Sequence, residues 1–150
     1  MVGTRWKDEV VILLNDGAGA SALSQEPGQL VPELGCTLGD ELLKPTRIYA
    51  RSVRSVLAHY RVKGVVHGLA HITGGGLLEN VPRVLPDGVD AEIRLGSWPR
   101  GPLFDLIAEL ATGVDDHELH RMLNMGIGMV IVCAPGDVEA LQASIDEPTW

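Results

Sequence analysis

Between Tyr49 and Tyr60 the apolar residues Tyr49, Val53, Val56, Leu57 and Tyr60 fall at i, i+4, i+7, i+8 and i+11. That is the stripe of an amphipathic helix, with Arg47, Arg51 and Arg54 on the opposite side and Gly64 closing it. Upstream, Leu38 to Leu43 reads as a turn or two of helix ended by Pro45, and Val10 to Leu14 as a short buried strand ended by Asn15-Asp16-Gly17. Downstream the period changes. Val65 to Ile72 is β-branched and glycine-containing, a strand that runs into Gly74-Gly75-Gly76 and a short helical segment disturbed at Pro82. Val89 to Leu95 alternates like a half-exposed strand. Pro102 opens a helix with Leu103, Phe104, Ile107, Leu110 and Ala111 on one face. Asp115 with Glu118 three residues later resembles a capping box for another, carrying Leu119, Met122 and Leu123. Gly126 to Ala134 reads as a buried strand, and Pro135 begins a last helix with Val138, Leu141 and Ile145 inward. The pattern predicts a mixed α/β sandwich, helices packed on a modest sheet. Residues 1–33 carry the weakest pattern and are read as a divergent, partly disordered arm ahead of a domain over 34–150.

Composition places the chain among globular proteins: 150 residues, 45% hydrophobic and 21% charged, with no run long enough for a membrane span. Met1 to Glu9 has two acids before any apolar stretch, which argues against a signal peptide. Cys36 and Cys133 lie in no paired motif, so a reduced, cytoplasmic protein is expected, with Cys133 a buried small hydrophobe. A net charge of −8 speaks against a nucleic-acid partner. The average conceals an asymmetry. Leu42 to Leu78 contains no acid and six of the 12 basic residues, whereas after Arg100 nine acids face the single base Arg121. A locally basic stretch in an acidic protein suits a small anion better than a polyanion.

Candidate chemistry centres on the glycine triplet. A strand feeding a glycine-rich loop into a helix directs unpaired N–H groups to one place, and glycine lets a phosphate approach. Thr73 adds a hydroxyl, and His71 stands where strand meets loop. A tight turn with close strand–helix packing accounts for the triplet equally well, since the spacing is neither G-x-G-x-x-G nor a P-loop. His67 and His71 on one strand stand about 13 Å apart, too far to share an ion, and His117-Glu118-Leu119-His120 lacks zinc-protease spacing, so no metal site is expected. The Arg47, Arg51, Arg54 row is more often a solvated face than a binding stripe. Asn124-Met125-Gly126-Ile127-Gly128-Met129 is a second glycine-punctuated approach to a strand, explained as well by packing as by a ligand.

Three of these segments resemble one family. Leu42-Leu43-Lys44-Pro45-Thr46-Arg47-Ile48-Tyr49, Ala70 to Gly76 with Glu79-Asn80-Val81-Pro82-Arg83-Val84-Leu85-Pro86, and Asn124 to Met129 are similar to phosphoribosylformylglycinamidine cyclo-ligase, or AIR synthetase. Gly96-Ser97-Trp98-Pro99 falls where the family carries Ser-Trp, and the match runs in order from about Glu33. The resemblance implies the α+β fold of that family's C-terminal domain, with a mixed sheet between helices. It implies ATP-dependent closure of the imidazole ring of formylglycinamidine ribonucleotide. By position in the motifs, Thr73, Gly74, Gly75, Gly76 and Asn80 would hold a phosphate, His71 would be the polar group nearest the chemistry, and Arg47 and Arg83 would be charge partners. Asn124, Gly126 and Gly128 would form a second loop. In the family an N-terminal domain that supplies most ligands of ATP and Mg2+ and the dimer contacts precedes this region and is expected to be missing here, and residues 1–29 do not match the His-Ser-Asn-Gly-Tyr-Ser segment that opens the family's C-terminal domain. The chain is therefore expected to take a phosphoribosyl substrate, to need an ATP-binding N-terminal domain or subunit, and to expose apolar surface that allows a homo-oligomer. The alternatives are a non-catalytic nucleotide-binding or phosphate-binding module and a degenerate remnant.

Overall fold

The computed structural model describes residues 10–15 and 28–150. In chain order these form β1 (Val10–Asn15), β2 (Leu30–Val31), β3 (Cys36–Thr37), α1 (Leu38–Leu42), α2 (Ala50–His59) and β4 (Val66–His71). Then follow α3 (Gly76–Asn80), a 3-10 turn at Pro82–Val84, α4 (Pro102–Leu110) and α5 (Asp116–Met122). Last come β5 (Ile127–Cys133), a second 3-10 turn at Pro135–Asp137 and α6 (Val138–Ala143). The class is α+β. Among the described residues the sheet, expected to be mixed, is antiparallel, ordered β1-β5-β4, beside a two-stranded antiparallel hairpin of β2 and β3. The physical reason lies in the path after β4: α3, α4 and α5 carry the chain to β5, which enters beside His71, where β4 ended, and runs back.

The central strand β5 is apolar at almost every position because it has a neighbour on each edge and packing on each face. Ile131 and Cys133 meet Tyr49 and Val56 of the α2 region and Leu141 and Ile145 around α6. Val130 and Val132 face the other way, onto Ala70, Ile72, Leu77, Val81 and Trp98. Two bulges adjust this alternation. The β1–β5 register skips Gly128, which puts Ile127 on the Val130 face, and the β4–β5 register skips His67, which leaves Val66 on the same side as Leu69. The helices behave as patterned, with shifts at their edges. Leu57 of the α2 stripe stays 44% exposed and Leu110 of α4 46%, while Leu106 is buried against Val31 and Leu38. Asp115 caps α5 by accepting from the Glu118 N–H at 2.7 Å.

One expected strand is absent. Residues 89–95 are irregular and have no ladder partner among the described residues, although Ala91 and Ile93 pack on the Trp98 cluster. Their alternation records one-sided burial, and one-sided burial does not require a neighbouring strand. The arm expected over residues 1–33 falls partly on residues 1–9 and 16–27, outside those described. Within it, the Val10–Asn15 segment pairs along β5 and Leu30–Val31 along β3. Among the described residues no helix is long and apolar enough to cross a membrane.

This arrangement makes β5 the element whose packing the fold can least afford to lose. Truncating Ile131, 1% exposed, to alanine is expected to cost about 2–5 kcal/mol, whereas Leu43→Ala changes stability by less than about 0.5 kcal/mol. Urea unfolding of both variants checks the contrast.

Candidate glycine-loop site

The loop after β4 and the loop before β5 lie side by side, because the Ile72 N–H donates to the Gly128 carbonyl at 2.9 Å. The three loop glycines have three separate reasons. Gly76 (φ 57°) sits against α5: a Cβ there would lie 1.9 Å from the His120 carbonyl oxygen and 2.7 Å from that of Leu123, so no side chain fits. Gly75 has φ 97°, and a Cβ there would meet the Glu79 carboxylate at 2.6 Å. Gly74 is exposed, has ordinary φ, and a Cβ would meet nothing within 4 Å. Packing thus explains Gly76 and backbone conformation Gly75, while Gly74 leaves open space over the loop. The Gly76 N–H closes the turn onto the Thr73 carbonyl at 3.0 Å. The N–H groups of Thr73, Gly74 and Gly75 make no hydrogen bond among the described residues.

Asn80 organises this loop from beneath. Its side chain is buried, and Nδ2 donates to the carbonyl oxygens of Gly76 (2.8 Å), Gly74 (3.2 Å) and Thr73 (3.3 Å). Turning those carbonyls inward frees the opposite side of the loop for N–H groups. The Asn80 Oδ1 accepts from Arg83 Nη1 at 3.0 Å, which orients Arg83 alongside the loop. Arg83 also approaches Glu79 at 3.8 Å, and Glu79 reaches Arg121 of α5 at 3.2 Å. Arg121 in turn is bound to Glu118, with Nε to Oε2 at 2.7 Å and a second contact from Nη2. These bonds, to Glu118 first and then Glu79, raise the Arg121 pKa further, and Arg121 holds the Glu118 carboxyl below its usual value.

His71 belongs to the other side of the sheet. It is exposed, and its ring meets Tyr49 edge-on at a centroid distance of 6.2 Å, so it stands with α2 while α3 packs Leu77 and Val81 on the opposite face. Arg47, half-buried, lies two residues before Tyr49 on the same approach. The second loop is held by its own contacts. Asn124 Oδ1 accepts from the Gly126 N–H at 3.1 Å, and buried Met125 takes φ 50°. The Met125 carbonyl accepts from Trp98 Nε1 at 2.9 Å. Trp98 also meets the buried His120 ring edge-on, and His120 Nδ1 donates to the Asp116 carbonyl at 2.6 Å. Gly126 (φ 90°) lies under the Arg100 carbonyl, which a Cβ would approach to 3.2 Å. Cys36 is a poor nucleophile: desolvation and its hydrogen bond to Glu41 push the thiol pKa up.

A cleft of about 250 Å³ opens on the far side of α3, lined by Leu77, Leu78, Val81, Leu85, Ala91 and Ile93 among others. None of the sequence-named site residues lines it. The structure therefore gathers Thr73 to Gly76, Asn80, Arg83 and the Asn124 to Gly128 loop at one end of the sheet. It sets His71 and Arg47 on the side of the sheet opposite α3, at the same end of β4. Reading the sequence alone overlooked Arg121, whose link to Glu118 follows ordinary i, i+3 spacing but whose link to Glu79 spans 42 residues.

The fold and loop define an α+β domain that presents a glycine loop at the end of an antiparallel sheet. The chain belongs to the AIR synthase related protein family, whose C-terminal domain model matches residues 7–149. It is 49% identical over 107 residues to a phosphoribosylformylglycinamidine cyclo-ligase of Geobacillus kaustophilus, covering 71% of this chain and 30% of that protein. The enzymes of the same name from Trichlorobacter lovleyi and Bacillus cytotoxicus are 46% identical over 123 residues and 40% over 136 residues. These matches cover 80% and 91% of this chain and 34% and 36% of those proteins. The chain spans about a third of the length of these relatives.

The glycines separate by experiment. Gly76→Ala is expected to lose about 3 kcal/mol or more of stability, and Gly74→Ala to unfold within about 0.5 kcal/mol of wild type. Thermal melts of the two variants measure this. The Glu118–Arg121 pair gives a pH signature. Because the folded-state pKa of Glu118 lies below its ordinary 4.5, its contribution is present above that pH and is lost as the pH falls through the lowered value. Glu118→Gln is expected to flatten the acid limb of stability against pH, and an unaltered limb contradicts the assignment.

Proposed function

We propose that this domain is the phosphate-holding half of an ATP-dependent cyclo-ligase that closes the imidazole ring of formylglycinamidine ribonucleotide. The observation that carries the reading is the set of unpaired N–H groups at Thr73, Gly74 and Gly75 beneath the open space at Gly74. Those donors suit a phosphate oxygen, and Arg83 stands beside them. Asn80 serves the site by shaping the loop, since its amide is occupied by loop carbonyls. The Asn124 to Gly128 loop is the adjoining wall. His71, exposed and oriented by Tyr49, is the polar group offered to the reacting end of the substrate, with Arg47 near it.

The donor set does not suit Mg2+. The loop presents N–H and guanidinium groups, its carbonyls turn inward to Asn80, and the carboxylate of Glu79 lies between two arginines. In this reading ATP and Mg2+ are bound mainly by an N-terminal ATP-binding domain. ATP supplies a phosphoryl group to the amide oxygen, which later leaves as phosphate when the neighbouring nitrogen closes the ring. This chain's part is to fix the ribose 5-phosphate or the transferring phosphoryl group and to keep a histidine at hand.

Ring closure is expected to be undetectable with this chain alone and to appear when an ATP-binding domain of a family member is added. Turnover by the isolated chain contradicts the division of labour, and phosphate binding without rescue favours a non-catalytic module. In the reconstituted enzyme, His71→Ala is expected to lower kcat about 10²-fold with little change in stability, the scale of a lost acid–base group.

A further inference from the structure

The ionic cluster beside the loop has an arrangement that a merely structural pair does not need. Glu79 folds back so that its carboxylate lies over Gly75, within 2.6 Å of where a Cβ would stand, and its bond among the described residues goes to Arg121 rather than to a loop N–H. It lies instead between the guanidinium groups of Arg83 and Arg121, at 3.8 and 3.2 Å. Arg121 comes from α5, which backs the same loop at Gly76. A negative group thus already occupies the cationic side of the loop.

We propose that Glu79 is an internal anion that holds Arg83 and Arg121 until a phosphate displaces it, and that Arg121 then joins Arg83 as a phosphate ligand. This rests on the reading of the loop as a phosphate site. The charges support it. Arg83, Arg121, Glu79 and Glu118 sum to zero, so a phosphate arriving with Glu79 in place meets no net attraction from the cluster. With the carboxylate swung away, a net positive charge faces the loop. The displacement is cheap. The Glu79, Arg83 and Arg121 side chains are 44%, 63% and 47% exposed, and ion pairs this open are held only weakly against solvent and salt. Glu79 can leave by side-chain rotation into solvent, while Glu118 keeps Arg121 directed at the loop through Nε. The device discriminates as well: a dianion engages both guanidinium groups better than a singly charged carboxylate does.

The test is calorimetric titration of the chain with inorganic phosphate. Glu79→Gln is expected to tighten binding about two- to fivefold, the scale of an exposed ion pair. Glu79→Asp, which keeps the charge but shortens its reach to Arg121, is expected to tighten it in the same direction. Adding Arg121→Met to Glu79→Gln is expected to abolish the gain. Unchanged or weaker binding by Glu79→Gln overturns the displacement while leaving the loop site standing. An undiminished gain in the double variant removes Arg121 from the site. Absence of phosphate binding by wild type and both Glu79 variants overturns this proposal and the loop reading together.

Discussion

The backbone approach of α3 to α5 at Gly76 is the constraint on which the rest of the site depends. It lets the two helices meet where a single methyl group would collide with the His120 and Leu123 carbonyls. That approach brings α5 and its Arg121 to the glycine loop, and places buried His120 against Trp98, whose indole N–H fixes the second loop at Met125. The β-ladder supplies the other boundary, since the last bond from Ile72 to Gly128 sets both loops at one end of the sheet. The loop is therefore rigid by packing on one side and open on the other.

Much of this was legible in the chain because it is local. The stripe of α2, the Asp115 cap of α5, the buried run of β5 and the glycine triplet each declare themselves within a dozen residues, although the Glu118 carboxylate goes to Arg121 and does not complete a capping box. What was not legible depended on distant partners. The alternation at Val89 to Leu95 records one face packed on the Trp98 cluster, and nothing in that segment says that no strand lies beside it. Strand direction was likewise misjudged, since the sense of a pair is set by where the path through α3, α4 and α5 returns. The three glycines looked alike and do three different things, and only the position of α5 separates Gly76 from Gly74. Glu79 and Arg121 meet across 42 residues with no motif to join them.

The functional account joins these levels. The acid-free stretch supplies the loop itself, Arg83 just beyond it supplies one flanking charge, and the acidic C-terminal third supplies α5, whose Arg121 is directed back at the loop. Under the proposed function the loop takes a phosphate, and the geometry is consistent with a division of labour within it. Gly74 leaves room, Asn80 turns carbonyls inward so that amides face outward, and Arg83 and Arg121 stand at the edge. The apolar cleft behind α3 takes no part in this arrangement, as its lining includes none of those groups.

The most direct measurement is a residue-resolved amide titration of the labelled chain with ribose 5-phosphate by heteronuclear NMR. The account predicts saturable shifts centred on the Thr73, Gly74 and Gly75 amides, with the Ala91 to Ile93 cleft unaffected. Shifts confined to the cleft, or none at the glycine loop at saturating ligand, would contradict it.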